Sequence, residues 1–115
     1  VFTHEKERLV VMDTSHNRLL SLEGFYEFHQ LETLRAVKCG LDSLQSILHV
    51  ISGLPKLRTL LLEDNPVCRA RNYRTLVIGT GRSIETLDSK EVSLSVREKL
   101  RYLATRINRP KQAKT

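Results

Sequence analysis

Leu57-Arg58-Thr59-Leu60-Leu61-Leu62-Glu63-Asp64-Asn65-Pro66-Val67 has leucine at its first, fourth and sixth positions, asparagine at the ninth and valine at the eleventh. The same frame runs upstream through Leu31, Leu34, Ala36, Cys39, Leu41 and Leu44. It runs again through Leu9, Met12, Thr14, Asn17, Leu19 and Leu22. Ile84 and Leu87 open a fourth, degenerate copy. The starts at 9, 31, 57 and 84 are 22, 26 and 27 residues apart. Three frames that share Asn, Cys and Asn at one slot make the pattern specific.

A period of roughly 20–29 residues with this spacing is that of a leucine-rich repeat. The segment x-x-L-x-L is a short strand, and alternation sends Met12/Thr14, Leu34/Ala36 and Leu60/Leu62 inward. The Asn or Cys slot turns the chain, and an Asn side chain there can bond backbone groups that the turn leaves unpaired. Leu19/Leu22 and Leu41/Leu44 then point back to the core. The return segments differ. Residues 43–52 carry Leu44, Ile47, Leu48 and Ile51 at helical spacing, with Gly53 and Pro55 ending the helix. Gly24–Gln30 is long enough for one helical turn. The expected fold is α/β: a leucine-rich-repeat solenoid with short parallel strands on a concave face and helices and turns on the convex face. Each unit leaves one apolar face open, so stacking makes the core.

The C-terminal part carries different signals. Glu63–Asp64–Asn65–Pro66–Val67–Cys68 is followed by Tyr73–Arg74, Val77–Ile78, Ile84, Leu87–Asp88 and Val92. This succession resembles the cap of intracellular leucine-rich-repeat proteins of the phosphatase-1 regulatory, axonemal dynein light chain and spliceosomal A-prime type. The resemblance covers about residues 9–108. It implies a helix over Tyr73–Ile78 that closes the solenoid. Thr14 and Ala36 depart from the family by occupying slots usually held by Leu or Ile, and Ser89 stands where Gly usually follows Leu-Asp. Ser95–Glu98 reads as a capping box that starts a final helix. Val96, Leu100, Leu103 and Ile107 form one stripe of it, expected to dock on the cap, with Arg97, Lys99, Arg101 and Arg106 facing outward. The expected division is an upstream element or edge over 1–8, repeats over 9–67, the cap over 68–109 and a basic tail over 110–115 that starts at Pro110. Nothing before Leu9 reads as an N-terminal cap, so further protein or a partner is expected over that edge.

Composition narrows the function classes. The 115 residues allow one domain, and with 5% aromatics and no Trp the core must be aliphatic. No apolar run approaches the roughly 18 residues that span a bilayer, and no signal peptide is visible, so no membrane role is expected. The chain begins at Val1, which reads as a fragment or a processed chain. Cys39 and Cys68 form no CxxC pair and no disulfide-stapled cap, which points to reduced thiols and an intracellular setting, cytoplasmic, cytoskeletal or nuclear. The net charge of +6 is local. Residues 1–96 hold 12 of the 19 Lys and Arg and 12 of the 13 Asp and Glu. Residues 97–115 hold seven cations against Glu98 alone.

Chemistry is sparse. Gly79–Thr80–Gly81 suggests a phosphate loop, but the dinucleotide pattern needs a third Gly where Ile84 stands, and the P-loop needs Gly-Lys-Ser/Thr. The glycine pair instead ends the Tyr73–Ile78 helix and leads into the last strand. His4, His16, His29 and His49 lack metal-ligand spacing, and only His16, beside Asn17, sits where it could touch a ligand. No nucleophile elbow or carboxylate pair appears. The expectation is a protein that is not an enzyme and has no cofactor and no metal.

Function therefore falls to the concave face. Its outward strand positions are Val11, Asp13 and Ser15, then Thr33, Arg35 and Val37, then Thr59, Leu61 and Glu63. Apolar Val11, Val37 and Leu61 among the charges of Asp13, Arg35 and Glu63 suit a protein ligand, although cross-strand packing alone could also explain them. The basic segment, Arg97, Arg101, Arg106, Arg109, Lys111 and Lys114, could meet nucleic-acid phosphates or an acidic protein partner. It equally fits a solvated helix face. Two functions stay open: a protein-protein interaction module of a larger assembly, and a ribonucleoprotein adaptor whose basic helix contacts nucleic acid. A third is an accessory domain of an enzyme whose activity lies elsewhere.

Overall fold

The computed structural model describes residues 10–19 and 22–107. Each of the first three copies of the frame yields one three-residue strand: β1 (Val11–Asp13), β2 (Thr33–Arg35) and β3 (Thr59–Leu61). β4 (Thr86–Leu87) and β5 (Lys90–Glu91) complete a single sheet ordered β1-β2-β3-β4-β5. The first four strands are parallel, and β5 returns antiparallel to β4. Register follows the frame, with Met12 beside Leu34, Leu34 beside Leu60 and Leu60 beside Leu87. Leu31, Leu34, Leu57, Leu60, Leu62, Ile84 and Leu87 are fully buried, as alternation demands.

The convex side holds a 3-10 segment (Glu23–Glu27), then α1 (Leu44–Ser52), a second 3-10 segment (Pro66–Arg69) and α2 (Tyr73–Thr80). Ser43 caps α1 by accepting from the Ser46 amide, and Ile47, Val50 and Ile51 face the core. α2 buries Tyr73, Leu76, Val77 and Ile78 over the end of the stack. Gly81 ends α2, its amide bonding the Val77 carbonyl. The glycine pair of the sequence is thus split, because Gly79 lies inside the helix.

The turn slot works through hydrogen bonds. Asn65 Oδ1 accepts from the amides of Cys39 (2.8 Å) and Leu41 (3.0 Å). Its Nδ2 donates to the carbonyls of Ala36 (2.8 Å) and Leu62 (2.7 Å). Cys39 continues the ladder by donating its thiol to the Thr14 carbonyl at 3.2 Å. Asp88 ends it, accepting from the Leu62 amide and from the Tyr73 hydroxyl, both at 2.7 Å. Burial, and then the bond to Asp88, push the Tyr73 phenol far above its ordinary value, so it stays a neutral donor.

One backbone feature repeats more closely than the side chains do. His16, Lys38 and Asp64, each one residue before the slot, all adopt left-handed φ of 57–65°. Ser89 does so as well, at φ 69°. A residue with a Cβ is strained there by about 1–2 kcal/mol. Ser89→Gly should stabilise the chain by roughly 0.5–1 kcal/mol, after the entropy glycine loses on folding is counted. A thermal melt that shows no rise, or a fall, would count against this turn geometry.

The final helix departs from expectation twice. α3 spans Leu94–Ile107, so it starts before the expected capping box. Ser93, not Ser95, caps it: its Oγ accepts from the Val96 amide and its carbonyl from the Arg97 amide. The docked face also differs. Arg97 and Ala104 are buried at 9% and 6% exposure, whereas Val96, Leu103 and Ile107 stand at 41%, 37% and 42%. Leu100 alone of the expected stripe packs partly against the core. The reason lies in the surface that receives the helix. A Cβ on Gly79 would fall 2.5 Å from the Ala104 Cβ, so α2 and α3 touch almost backbone to backbone. The carbonyls of Gly81 and Arg82, just past the end of α2, also take donors, and Arg97 supplies them. Residues 1–8, expected as an upstream edge, and the tail 110–115 lie outside the described residues.

Candidate functional site

The parallel register stacks the concave residues into rows. Val11, Thr33, Thr59 and Thr86 form the first, and Asp13, Arg35 and Leu61 the second. The ladder continues past the strands, with His16 N bonding Val37 O and Lys38 N bonding Glu63 O, and so aligns Ser15, Val37 and Glu63. All nine expected concave positions lie on one face. Asp13, Arg35, Glu63 and Val11 are exposed, and the other five are half-buried.

Charge on this face is organised around the second row. Arg35 Nε lies 3.4 Å from Asp13 Oδ2, with about half of each side chain in solvent. The Ser15 amide donates to Asp13 Oδ1 at 3.0 Å. That backbone bond, then the Ser15 side chain, hold the Asp13 carboxyl below its ordinary value, and Arg35 adds to the effect. An exposed pair of this kind contributes little to stability, so it is available to a partner. Ser15 is less free than alternation suggests, because its Oγ accepts from the Val37 amide at 3.0 Å. Leu61 sits beside Arg35 and leaves an apolar spot next to the ion pair.

Sequence reasoning missed Thr86 and Ser89. Thr86 pairs with Thr59 and extends the row of threonines, and Ser89 Oγ donates to Glu63 Oε1 at 3.4 Å. The signal was present, since Ile84 and Leu87 fix the fourth copy's register.

The basic set is divided. Arg97 does not face solvent. Its guanidinium donates to the carbonyls of Gly81 (3.2 Å) and Arg82 (2.7 Å). Burial first, then the charge of Arg101, lower it from its ordinary value, and Glu85 opposes them. Arg101 and Arg106 are exposed on α3, with the Arg106 guanidinium carbon 5.9 Å from the centre of the Tyr102 ring. Arg109, Lys111 and Lys114 lie outside the described residues. His16 is exposed at the exit of β1. Among the described residues no cluster of three or more His, Cys, Asp or Glu could hold a metal, and no helix is long and apolar enough to cross a membrane. Cys39 and Cys68 are both free thiols.

Parallel strands on one face, a laddered turn slot and a helix-closed end define a leucine-rich-repeat domain with a C-terminal cap. No family model matches the chain. Among known proteins it is similar to the U2 small nuclear ribonucleoprotein A' of Candida glabrata, 27% identical over 90 residues, which are 78% of this chain and 34% of that protein. It is similar to the human leucine-rich repeat and coiled-coil domain-containing protein 1, 33% identical over 64% of this chain and 7% of that protein. It is also similar to human cilia- and flagella-associated protein 410, 31% identical over 77% of this chain and 35% of that protein. The chain thus spans about a third of these relatives or less. Among solved structures, a chain of the Drosophila melanogaster SNF/U2A' complex superposes with a TM-score of 0.70 at 25% identity. That match covers 94% of this chain and 60% of the other. The Mex67 repeat domain of Chaetomium thermophilum, at TM-score 0.70 and 20% identity over 84% of this chain and 68% of its own, shares the fold. None of these names is that of an enzyme.

Proposed function

We propose that this domain is a noncatalytic protein-binding module of a larger intracellular protein or assembly, and that its concave face receives the partner. The observation that carries the reading is the second row: an exposed Asp13–Arg35 pair directly beside Leu61, on a sheet with every strand in register. An apolar spot ringed by charge is how protein interfaces are composed, and arginine is among the residues most often decisive in them. The match to a chain of the Drosophila SNF/U2A' complex supports a protein partner. The names of the relatives support nuclear and ciliary settings alike.

The test is capture from cell lysate with the wild-type domain and with Arg35→Glu/Leu61→Asp, each with and without nuclease. Losing a central interface residue costs about 2 kcal/mol or more, roughly 30-fold in Kd. A protein partner lost with the double variant and indifferent to nuclease is the expected result. A second reading makes the domain a ribonucleoprotein adaptor whose α3 contacts nucleic acid. Exposed Arg101 and Arg106, together with the ribonucleoprotein relative, favour it. Partners unchanged by the double variant but lost with nuclease, or with Arg101→Glu/Arg106→Glu, would establish it and sink the concave-face reading.

A further inference from the structure

Five of the seven large apolar side chains exposed among the described residues sit on α3: Leu94, Val96, Tyr102, Leu103 and Ile107. Exposed apolar side chains gathered on one element mark an interaction surface. Their spacing says which kind. Three of them, Val96, Leu103 and Ile107, join Leu100, which is half-buried against the core, at separations of four, three and four residues, the a/d seam of a heptad. At 100° per residue this seam is turned roughly 80° from the docked face of Arg97 and Ala104. Those two are the e positions of the same heptad, and the repeat body covers them. The g positions are Lys99 and Arg106, both exposed and both cationic.

We propose that α3 is one strand of a two-helix interface, and that its occupant is an amphipathic helix with acidic residues flanking an apolar seam. The charge of the rim selects that occupant. A g residue faces the partner's e position in a parallel pair and its g position in an antiparallel pair. A second copy of this chain suits neither. Antiparallel, Lys99 and Arg106 would meet their own symmetry mates. Parallel, they would face Arg97 and Ala104, which α2 already covers. A lipid surface fits no better, because the seam is a narrow arc without Trp or Phe, and one flank of the helix is held by protein. A partner helix with carboxylates at e and g satisfies the seam and the rim together. This surface is separate from the concave face.

The probe is a synthetic 21-residue helical peptide with Leu at a and d and Glu at e and g, set against a twin with Lys at e and g. Like charges keep each peptide from pairing with itself. Fluorescence anisotropy with the whole chain should show the Glu peptide binding at least tenfold more tightly than the Lys peptide. Leu103→Asp should weaken that binding tenfold or more. Lys99→Glu/Arg106→Glu should reverse the preference, which a merely sticky surface would not do. Leu103 is exposed, so the fold should survive its substitution; circular dichroism checks this, and Leu103→Ala serves if it does not. Arg35→Glu/Leu61→Asp should bind the Glu peptide as the wild type does, so failure of the concave-face reading would leave this one standing. Equal binding of the two peptides, or no binding of either, would overturn the proposal. So would a dimer in sedimentation equilibrium that Leu103→Asp dissolves, which would make a second copy the occupant. Binding to phosphatidylserine vesicles that depends on Leu103 would assign the face to a membrane instead.

Discussion

Replacing Asn65 with Ala should cost about 3–5 kcal/mol, a large part of the 5–15 kcal/mol that holds a typical domain together. The side chain is 3% exposed and serves four backbone groups at 3.0 Å or less, with a longer bond to the Glu63 carbonyl at 3.4 Å. Alanine leaves the amides of Cys39 and Leu41 and the carbonyls of Ala36 and Leu62 without these bonds. Each buried group left unpaired costs about 1–3 kcal/mol, and partial relaxation or an entering water recovers some of it. Asn17 occupies the same slot of the first repeat. It is exposed, and among the described residues it donates only to the carbonyls of Thr14 and Ser15. Asn17→Ala should therefore cost under about 1 kcal/mol. Urea unfolding followed by circular dichroism measures both. Equal losses at the two positions would show that the ladder is not what supports the stack.

Gly79→Ala should destabilise the chain, against the usual sign. Inside a helix, alanine is ordinarily favoured over glycine by about 0.5–1 kcal/mol. Here the new methyl falls 2.5 Å from the Ala104 Cβ and 3.5 Å from the Arg101 Cα, so α3 has to move. Overpacking of this kind costs about 1–3 kcal/mol. As α3 lifts, the two bonds from Arg97 to the end of α2 are lost with it. Hydrogen exchange should quicken over Leu94–Ile107 while β2 and β3 stay protected. Ala104→Gly, which removes the opposing methyl, should be worse alone than in combination with Gly79→Ala. A double-mutant cycle with no coupling between the two sites would mean that the helices do not meet there.

These two positions also show what was legible in the sequence. Asn65 could be read, because a polar residue fixed between leucine slots has one physical use in a turn between stacked strands. The nine concave positions could be read for a similar reason, since strand alternation leaves one choice once Leu60 and Leu62 point inward. The docked face of α3 could not be read this way. Its apolar stripe identifies the side that avoids water, but the receiving surface decides which side packs. That surface presents Gly79 and the carbonyls of Gly81 and Arg82 just past α2, which call for a small residue and a cation, and Ala104 and Arg97 meet them. The left-handed residues His16, Lys38 and Asp64 were equally hidden, because none is glycine. Their conformation follows from the parallel stacking, which no single repeat contains.

β5 gives the stack a polarity. Each of the first four strands offers its neighbour an edge running the same way, so repeats can be added along that direction without limit of geometry. Lys90–Glu91 runs the other way. Its outer edge offers a following unit of the same kind antiparallel rather than parallel pairing, so the parallel array is ended by direction as well as by the helices above it. Extension of the parallel array by design therefore belongs before Thr86. A consensus unit spliced in ahead of Leu57 would meet matching edges on both sides, whereas the same unit fused beyond Glu91 would find none.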